Sequence, residues 1–358
     1  MKRKLSRKFR SLKKQEDGVA SVVGTIMALM VFLAFLSLFI NQWVPVMMND
    51  NEATHMTQVI NQFGNLKQAI DTLAVNWPTS EGVNMYTALT MNSAGVPLFA
   101  AETPGELALR VTKKAGTYGY NVGEFSVKSY GGKPTDPNVN QNTSGEIWFH
   151  SANRQYVEQT VAYENGAIII AQQEGSSIKG SPDFTIQKLS SSISLKFVLI
   201  KLMGVDTNVG SYLAGASPVE GINTKMLFVT KDPTNGGVIN YQNNYKNVSI
   251  NITTDHYKGW FNYLNNTLNQ KLMEPVLSVQ GRPSDLDGIG ADLDGDGKQD
   301  DCRVTAANWT LTFYKSYNNG AGAGIEKNDK IVLQLRHINL IGLTVANVWV
   351  SIGESNQI

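Results

Sequence analysis

The stretch VASVVGTIMALMVFLAFLSLFI, residues 19–40, contains no charged side chain. At about 1.5 Å per residue its 22 residues form a helix of roughly 33 Å, long enough to cross the hydrocarbon core of a bilayer. That length decides the plan of the chain. The residues before the stretch are an address, and the residues beyond it are cargo.

Upstream, residues 1–18 hold eight basic side chains (Lys2, Arg3, Lys4, Arg7, Lys8, Arg10, Lys13, Lys14) against Glu16 and Asp17. The 358-residue chain has 31 basic and 30 acidic residues, so everything after the leader carries 23 against 28 and is net acidic by five. A mildly acidic body argues against nucleic acid as a partner. Lys and Arg beside a first membrane helix stay cytoplasmic, which directs the remainder of the chain outside. A cleaved secretory signal fits poorly, because its apolar core is about 7–15 residues followed by small-x-small, whereas this one runs on into Asn41, Gln42, Trp43, Val44 and Pro45. Cys302 is the only cysteine, which excludes a disulfide-stapled scaffold.

A basic leader ending in Gly18, followed by Val19, Ala20, Ser21, Val22, Val23, Gly24 and Thr25 running straight into an apolar helix, resembles the class III signal of archaeal type IV pilins and pilin-like surface proteins. The resemblance covers residues 13–40 and the plan of a helix followed by a β-rich head. It implies a prepilin peptidase as partner, cutting between Gly18 and Val19 on the cytoplasmic side and leaving the helix in the mature protein. Val23 stands where bacterial-type pilins carry Glu, which points to the archaeal branch. The length exceeds that of most archaeal filament subunits, which points away from a major subunit.

Downstream of the apolar run, Trp43 suits a membrane interface and Pro45 cannot donate to a helix ladder, so the outer membrane boundary and a kink are expected within residues 41–48. Val59, Phe63, Leu66, Ile70 and Leu73 then recur at spacings of four and three, with Met56 extending the stripe. The spacing predicts an amphipathic helix over residues 49–77, ended by Trp77-Pro78. Its stripe packs either on its own domain or on neighbouring subunits as a short coiled-coil seam.

Residues 78–358 change to short apolar runs separated by Gly, Pro and Asn clusters, the pattern of a sandwich or related β architecture. Strands are predicted at 106–111, 120–129, 145–150, 156–163, 167–172, 192–202, 225–229, 248–253, 305–317 and 330–352, with polar loops at 131–144 and 318–324. Asn165-Gly166 is a type I′ hairpin signal, since both turn positions need positive φ. One helix is expected from Thr254 or Asp255 to about Met273, with Tyr257, Trp260, Phe261, Leu264, Leu268 and Leu272 as a core stripe. The fold class is therefore α+β: a long N-terminal helix and an extracellular head, read as one domain, with two halves meeting near residue 180 as the alternative.

The densest chemistry lies at 285–301, DLDGIGADLDGDGKQDD, with seven aspartates and one lysine in 17 residues. Carboxylates this close repel one another and need a cation or full solvation. Asp292, Asp294, Asp296, Gly297, Lys298 and Asp300 fall on positions 1, 3, 5, 6, 7 and 9 of an EF-hand-type loop, with a backbone carbonyl expected from Lys298. Oxygen ligands at alternating positions suit Ca²⁺ in a structural role. Arg303 stands where a bidentate Glu closes an EF-hand, so the loop is similar to the DxDxDGxxD loops of extracellular modules, with Asp301, Asp287 or Asp285 to complete the set. A solvated acidic loop and a regulatory sensor are the alternatives.

Five Asn-x-Ser/Thr triplets, at Asn142, Asn247, Asn251, Asn265 and Asn308, are candidate N-glycosylation sites on an exported chain. No metal-protease His pair, nucleophile elbow or phosphate-binding loop is present in the sequence, and His55, His150, His256 and His337 are scattered. Cys302 follows carboxylates that raise a thiol pKa, the wrong direction for a nucleophile. No catalytic or cofactor-binding constellation emerges. Two classes stand: a pilin-like surface protein, minor or tip-located in a filament, and an uncleaved single-pass anchor carrying a binding or envelope domain. An extracellular enzyme has least support.

Overall fold

The computed structural model describes residues 21–112, 122–132, 137–210, 219–231, 238–241, 245–284, 286, 290–294, 298–315 and 329–353. Gly18, Val19 and the glycine-rich stretch 318–324 lie outside these residues.

A single helix, α1 (Ser21–Val75), runs for 55 residues, about 82 Å at a rise of about 1.5 Å. The two expected helical sections are therefore continuous. Where a kink was expected, Phe39–Trp43 forms a π-helical turn, with the Val44 N–H donating to the Phe39 carbonyl five residues back. Pro45 comes two residues after its end; it lacks an N–H and its ring crowds the preceding turn, and the widened turn lets the helix pass it without breaking. The first half of α1 is long and apolar enough to cross a membrane, and the head covers none of its most apolar window. The second half buries Met56, Val59, Phe63, Leu66, Ile70 and Leu73. Each such side chain contributes about 1.5–3 kcal/mol of burial, so this face binds the helix firmly to the head.

The β-rich remainder begins with β1 (Asn84–Thr90), β2 (Gly105–Arg110), β3 (Glu124–Tyr130), β4 (Asn140–Thr143), β5 (Glu146–Ser151) and β6 (Gln159–Glu164). Next come β7 (Ala167–Gln172), β8 (Gly175–Gly180), β9 (Phe184–Lys188), β10 (Ile193–Met203), β11 (Thr207–Gly210) and β12 (Val219–Lys231). After β13 (Val238–Asn240) and β14 (Lys246–Thr253), helix α2 (Tyr257–Leu272) intervenes. The chain closes with β15 (Val276–Gln280), β16 (Cys302–Ala306), β17 (Trp309–Tyr314) and β18 (Lys330–Ile352).

Two sheets result. Strands β11-β2-β5-β6-β7-β8 form the smaller one, antiparallel throughout. Its β6–β7 turn carries Asn165 and Gly166 at φ 46° and 80°, the conformation the Asn-Gly pair predicts. The larger sheet has 12 strands and is built on the 23-residue β18. The first part of β18 pairs antiparallel with β14 and β17; the rest pairs with β12 and β13, and in parallel with β10. Between the two parts the β14 register slips and His337 takes φ 58°, a bulge that bends the strand and lets it serve both halves. Both halves near residue 180 thus share one sheet.

Two cores sit on this frame. One gathers the large sheet, part of the small sheet and the α2 stripe Trp260, Phe261, Leu264, Leu268 and Leu272. The other gathers the α1 stripe, the small sheet and residues such as Ala346, Val348 and Val350 of β18. Several expectations need correction. Residues 140–143, expected as loop, form β4, because a polar run suits an edge strand whose only demand is pairing with β3. The expected strand at 305–317 is two, β16 and β17, turning at Ala307-Asn308. Strands β1, β8, β9, β11, β13 and β15 had no apolar alternation strong enough to announce them.

Candidate functional site

Three places concentrate polar chemistry. The first is the collar where α1 enters the head. Glu52, on the helix, is fully buried. One oxygen accepts from the Thr103 hydroxyl (2.6 Å) and the Arg154 N–H (3.0 Å), the other from the N–H groups of Gln155 (2.8 Å) and Tyr156 (2.7 Å). Burial alone would raise its pKa, but four donors outweigh it and hold the carboxyl below the usual range. On the neighbouring turns Asn49 donates to the Gln155 carbonyl and Asn51 to the Ala94 carbonyl, at 2.8 and 3.1 Å. His55 meets the Thr90 carbonyl at 2.9 Å. Helical spacing puts Asn51, Glu52 and His55 on one side, so one turn of α1 clamps two head loops. Sequence reasoning missed Glu52. A Glu four residues after Met48 and four before Met56, in line with the buried stripe, was the available signal.

The second place is the acidic loop between β15 and β16. Its second half closes in a bridge between Ala291 and Asp301, with N–H to carbonyl distances of 2.8 and 2.9 Å in the two directions. Gly290 packs so close to the Asp301 carbonyl that an added Cβ would lie 2.3 Å from it. Leu286 drops into the first core and pins the loop from below. Carboxylate oxygens of Asp292, Asp294 and Asp301 lie within 4.8 Å of one another; the first two side chains are exposed and the third is buried. Asp301 also accepts from the N–H groups of Leu293, Asp294 and Lys315 at 2.9, 3.2 and 2.9 Å, so it shapes the loop from within. Burial and the Asp294 charge push its carboxyl up, the strain a cation at the three oxygens would relieve. Asp300 and Lys298 are half-buried on the same loop, outside this trio. Asp285, Asp287 and Asp296 lie outside the described residues. Arg303 belongs to β16, where its guanidinium donates to Thr312 and Tyr314 side chains. Next to Asp301, Cys302 is buried and its thiol is pushed up to about 11 by burial and the Asp301 charge.

The third place lies between the small sheet and α2. His256, just before α2, reaches Glu146 of β5 at 2.8 Å, and Glu146 lies 3.6 Å from Arg110 of β2, whose guanidinium sits 4.0 Å over Trp148. Glu164 of β6 is fully buried and accepts from the Thr254 hydroxyl at 2.9 Å, while its Oε1 finds no hydrogen bond in good geometry. Burial raises the Glu164 carboxyl to about 8, with the Glu146 charge adding to it and His256 opposing. For His256 burial works against the charge, but Glu146 and Glu164 overcome it and hold the imidazole at about 9. Gly123 makes room: a Cβ there would stand 1.9 Å from Glu164 Oε1. Scattered sequence positions gave no hint that these residues meet.

Among the candidate glycosylation sites, Asn142 is exposed. Asn142 and Asn251 line one cleft of about 480 Å³ with Ser126, Lys201 and Lys330. The Asn308 amide instead donates to the buried Glu274 carboxylate. The arrangement as a whole shows a gripped helix, a buried clamp at its entry and three carboxylates brought together in one loop. No protein-family model, curated protein or solved structure matches the chain.

Proposed function

We propose that this is a pilin-like, membrane-anchored surface protein, a minor or tip subunit of an archaeal type IV pilus-like filament with a structural or adhesive role, processed between Gly18 and Val19 by a prepilin peptidase. The carrying observation is the bare apolar half of α1, continuous with a half that the head grips. A helix with no charge and no cover has two homes, the bilayer and the axis of a helical filament among other subunits. The basic leader cannot enter the second with it, since each buried ion costs several kcal/mol. Cleavage after Gly18 is then the step that licenses assembly. The head, a sandwich-like body, stays outside, held away from the axis by the second half of α1.

The test is mass spectrometry of the mature cellular protein together with shearing of cells. Loss of residues 1–18 and release with filaments support the reading. A retained leader rejects it in favour of the uncleaved single-pass anchor that the same bare helix also fits.

In this reading the acidic loop carries a structural Ca²⁺ held by Asp292, Asp294 and Asp301, with Asp296, the Lys298 carbonyl and Asp300 as further ligands. The observation behind it is the convergence of three carboxylates on one point. Calcium is expected to raise the thermal midpoint of the full protein in detergent, and chelator to lower it. An unchanged midpoint, also after Asp292→Asn with Asp294→Asn, rejects the site. On an exported head, Asn142 is the sequon best placed for glycosylation, and its mass after glycosidase treatment checks this.

A further inference from the structure

The loop between β1 and β2 reaches back along α1 towards its apolar half. Residues 89–101 contain no charge. At the tip Leu98 is 102% exposed and Phe99 41% exposed, and Trp43, one helical turn beyond Phe39, is 58% exposed. The Phe99 ring meets the Phe39 ring edge-on at 5.2 Å, which brings the tip level with the end of the apolar run. Behind it Val96 packs with Val44 and Met48. Asn51 holds the carbonyls of Ala94 and Gly95, so the loop is fixed to the helix at its base. Leu98 adopts φ 68°, a conformation side-chain-bearing residues rarely take, and it turns a large apolar side chain away from the protein.

The neck of this tip is closed on itself by backbone hydrogen bonds. The N–H of Val96 donates to the Ala100 carbonyl, and those of Phe99 and Ala100 donate to the Val96 carbonyl. Pro97 has no N–H. The Leu98 N–H and the carbonyls of Pro97, Leu98 and Phe99 at the apex have no backbone partner among the described residues, which fits the headgroup level, where polar groups remain within reach, and not the hydrocarbon centre.

We propose that the loop 95–101 dips into the outer face of the bilayer crossed by α1, with Leu98 and Phe99 as its lipid-contacting residues. The inference rests on the reading of α1 as a membrane anchor. A lipid surface fits better than a protein partner because the exposed apolar tip is only two side chains, Leu98 and Phe99, whereas a stable protein interface takes about 800 Å² from each side. It fits by continuity as well, since Phe99 extends the apolar surface of Phe39 sideways at the level of Trp43, where aromatic residues meet membrane headgroups. Together the helix and the loop form two points of attachment, which fix the tilt of the head over the membrane.

The test uses the full chain in phosphatidylcholine vesicles, with a polarity-sensitive fluorophore on single introduced thiols; Cys302 is buried and stays unlabelled. Leu98→Cys probes the loop, Met30→Cys the apolar helix, and Leu277→Cys an exposed site on β15. Lipids brominated at shallow or deep acyl positions act as quenchers. A blue-shifted Leu98 probe, quenched more by shallow than by deep bromines, is expected for insertion of about 5–10 Å. The Leu277 probe should show neither effect. Quenching of the Met30 probe without quenching at Leu98 overturns the loop proposal and leaves the anchor standing. Absence of quenching at Met30 sinks the anchor reading, and the loop proposal with it. A Leu98 probe shielded from aqueous iodide but untouched by brominated lipid means that a second copy of the chain covers the loop, which also overturns the proposal.

Discussion

Glu52 and Glu164 are both fully buried carboxyl groups, yet their pKa values move in opposite directions, Glu52 below its ordinary value and Glu164 up to about 8. Glu52 accepts from three backbone N–H groups and a hydroxyl. Glu164 has one hydroxyl donor and an oxygen without a good partner, and it shares its space with the Glu146 carboxylate and His256. Burial is common to both, so it does not decide the charge. The number of donors aimed at the carboxylate does. The first group clamps α1 to the head as an ion; the second is held neutral through the acidic and neutral range and fills the seam between sheet and helix.

The contrast breaks most visibly at the clamp. Glu52→Ala leaves three backbone donors and the Thr103 hydroxyl without an acceptor, at about 1–3 kcal/mol for each unsatisfied group. A loss of about 3 kcal/mol or more is expected in denaturant unfolding of the full protein in detergent, with faster hydrogen exchange at Arg154, Gln155 and Tyr156. An unchanged midpoint would show that the loops hold without the clamp. Gly123→Ala tests the other site by overfilling it, since its Cβ would overlap Glu164. Overpacking typically costs about 1–3 kcal/mol, and the same melt with Glu164→Ala in the background should recover part of it.

Change of pH should move the two sites in opposite directions. The lowered Glu52 pKa contributes stability that is complete above its ordinary value of 4.5 and is lost as pH falls through the lowered value. Glu164 and His256 both have raised values, about 8 and about 9, so the folded state binds more protons than the unfolded one. Their contribution is complete below about 4.5 and 6.5 respectively, and it fades as pH rises through 8 and 9. Hydrogen exchange should accordingly quicken in β6 and the start of α2 above pH 8, and at the collar only below pH 4.5. The smallest change is Glu164→Gln, which keeps shape and neutrality. It should alter stability at pH 6 by less than about 1 kcal/mol and flatten the alkaline slope. A slope as steep as in the parent protein would place the titration elsewhere, since His256 accounts for only part of it.

Legibility in the sequence tracked the range of the forces involved. The Asn165-Gly166 turn, the stripe from Val59 to Leu73 and the aromatic face of α2 are local patterns, and each was readable before any coordinate. The acidic loop was readable as a dense run of carboxylates, but not the division of labour within it: only folding shows that Asp301 spends its oxygens on backbone N–H groups while Asp292 and Asp294 stand exposed. Glu52 and the Glu146, Glu164 and His256 cluster were not legible, because their partners are 51 to 110 residues away in the chain.

By itself, then, the sequence determined an apolar stretch of 22 uncharged residues behind a basic leader, the helical period beyond it, and a β-rich acidic body, since composition and periodicity act within a few turns or strands. Tertiary structure alone decided that the two helical sections are one, because the π-turn at Phe39–Trp43 reconciles Pro45 with a continuous ladder. It also decided which half of that helix stays bare. The head's loops and sheets close on α1 from Val44 onward, and the apolar half before that is left to whatever apolar surroundings meet it.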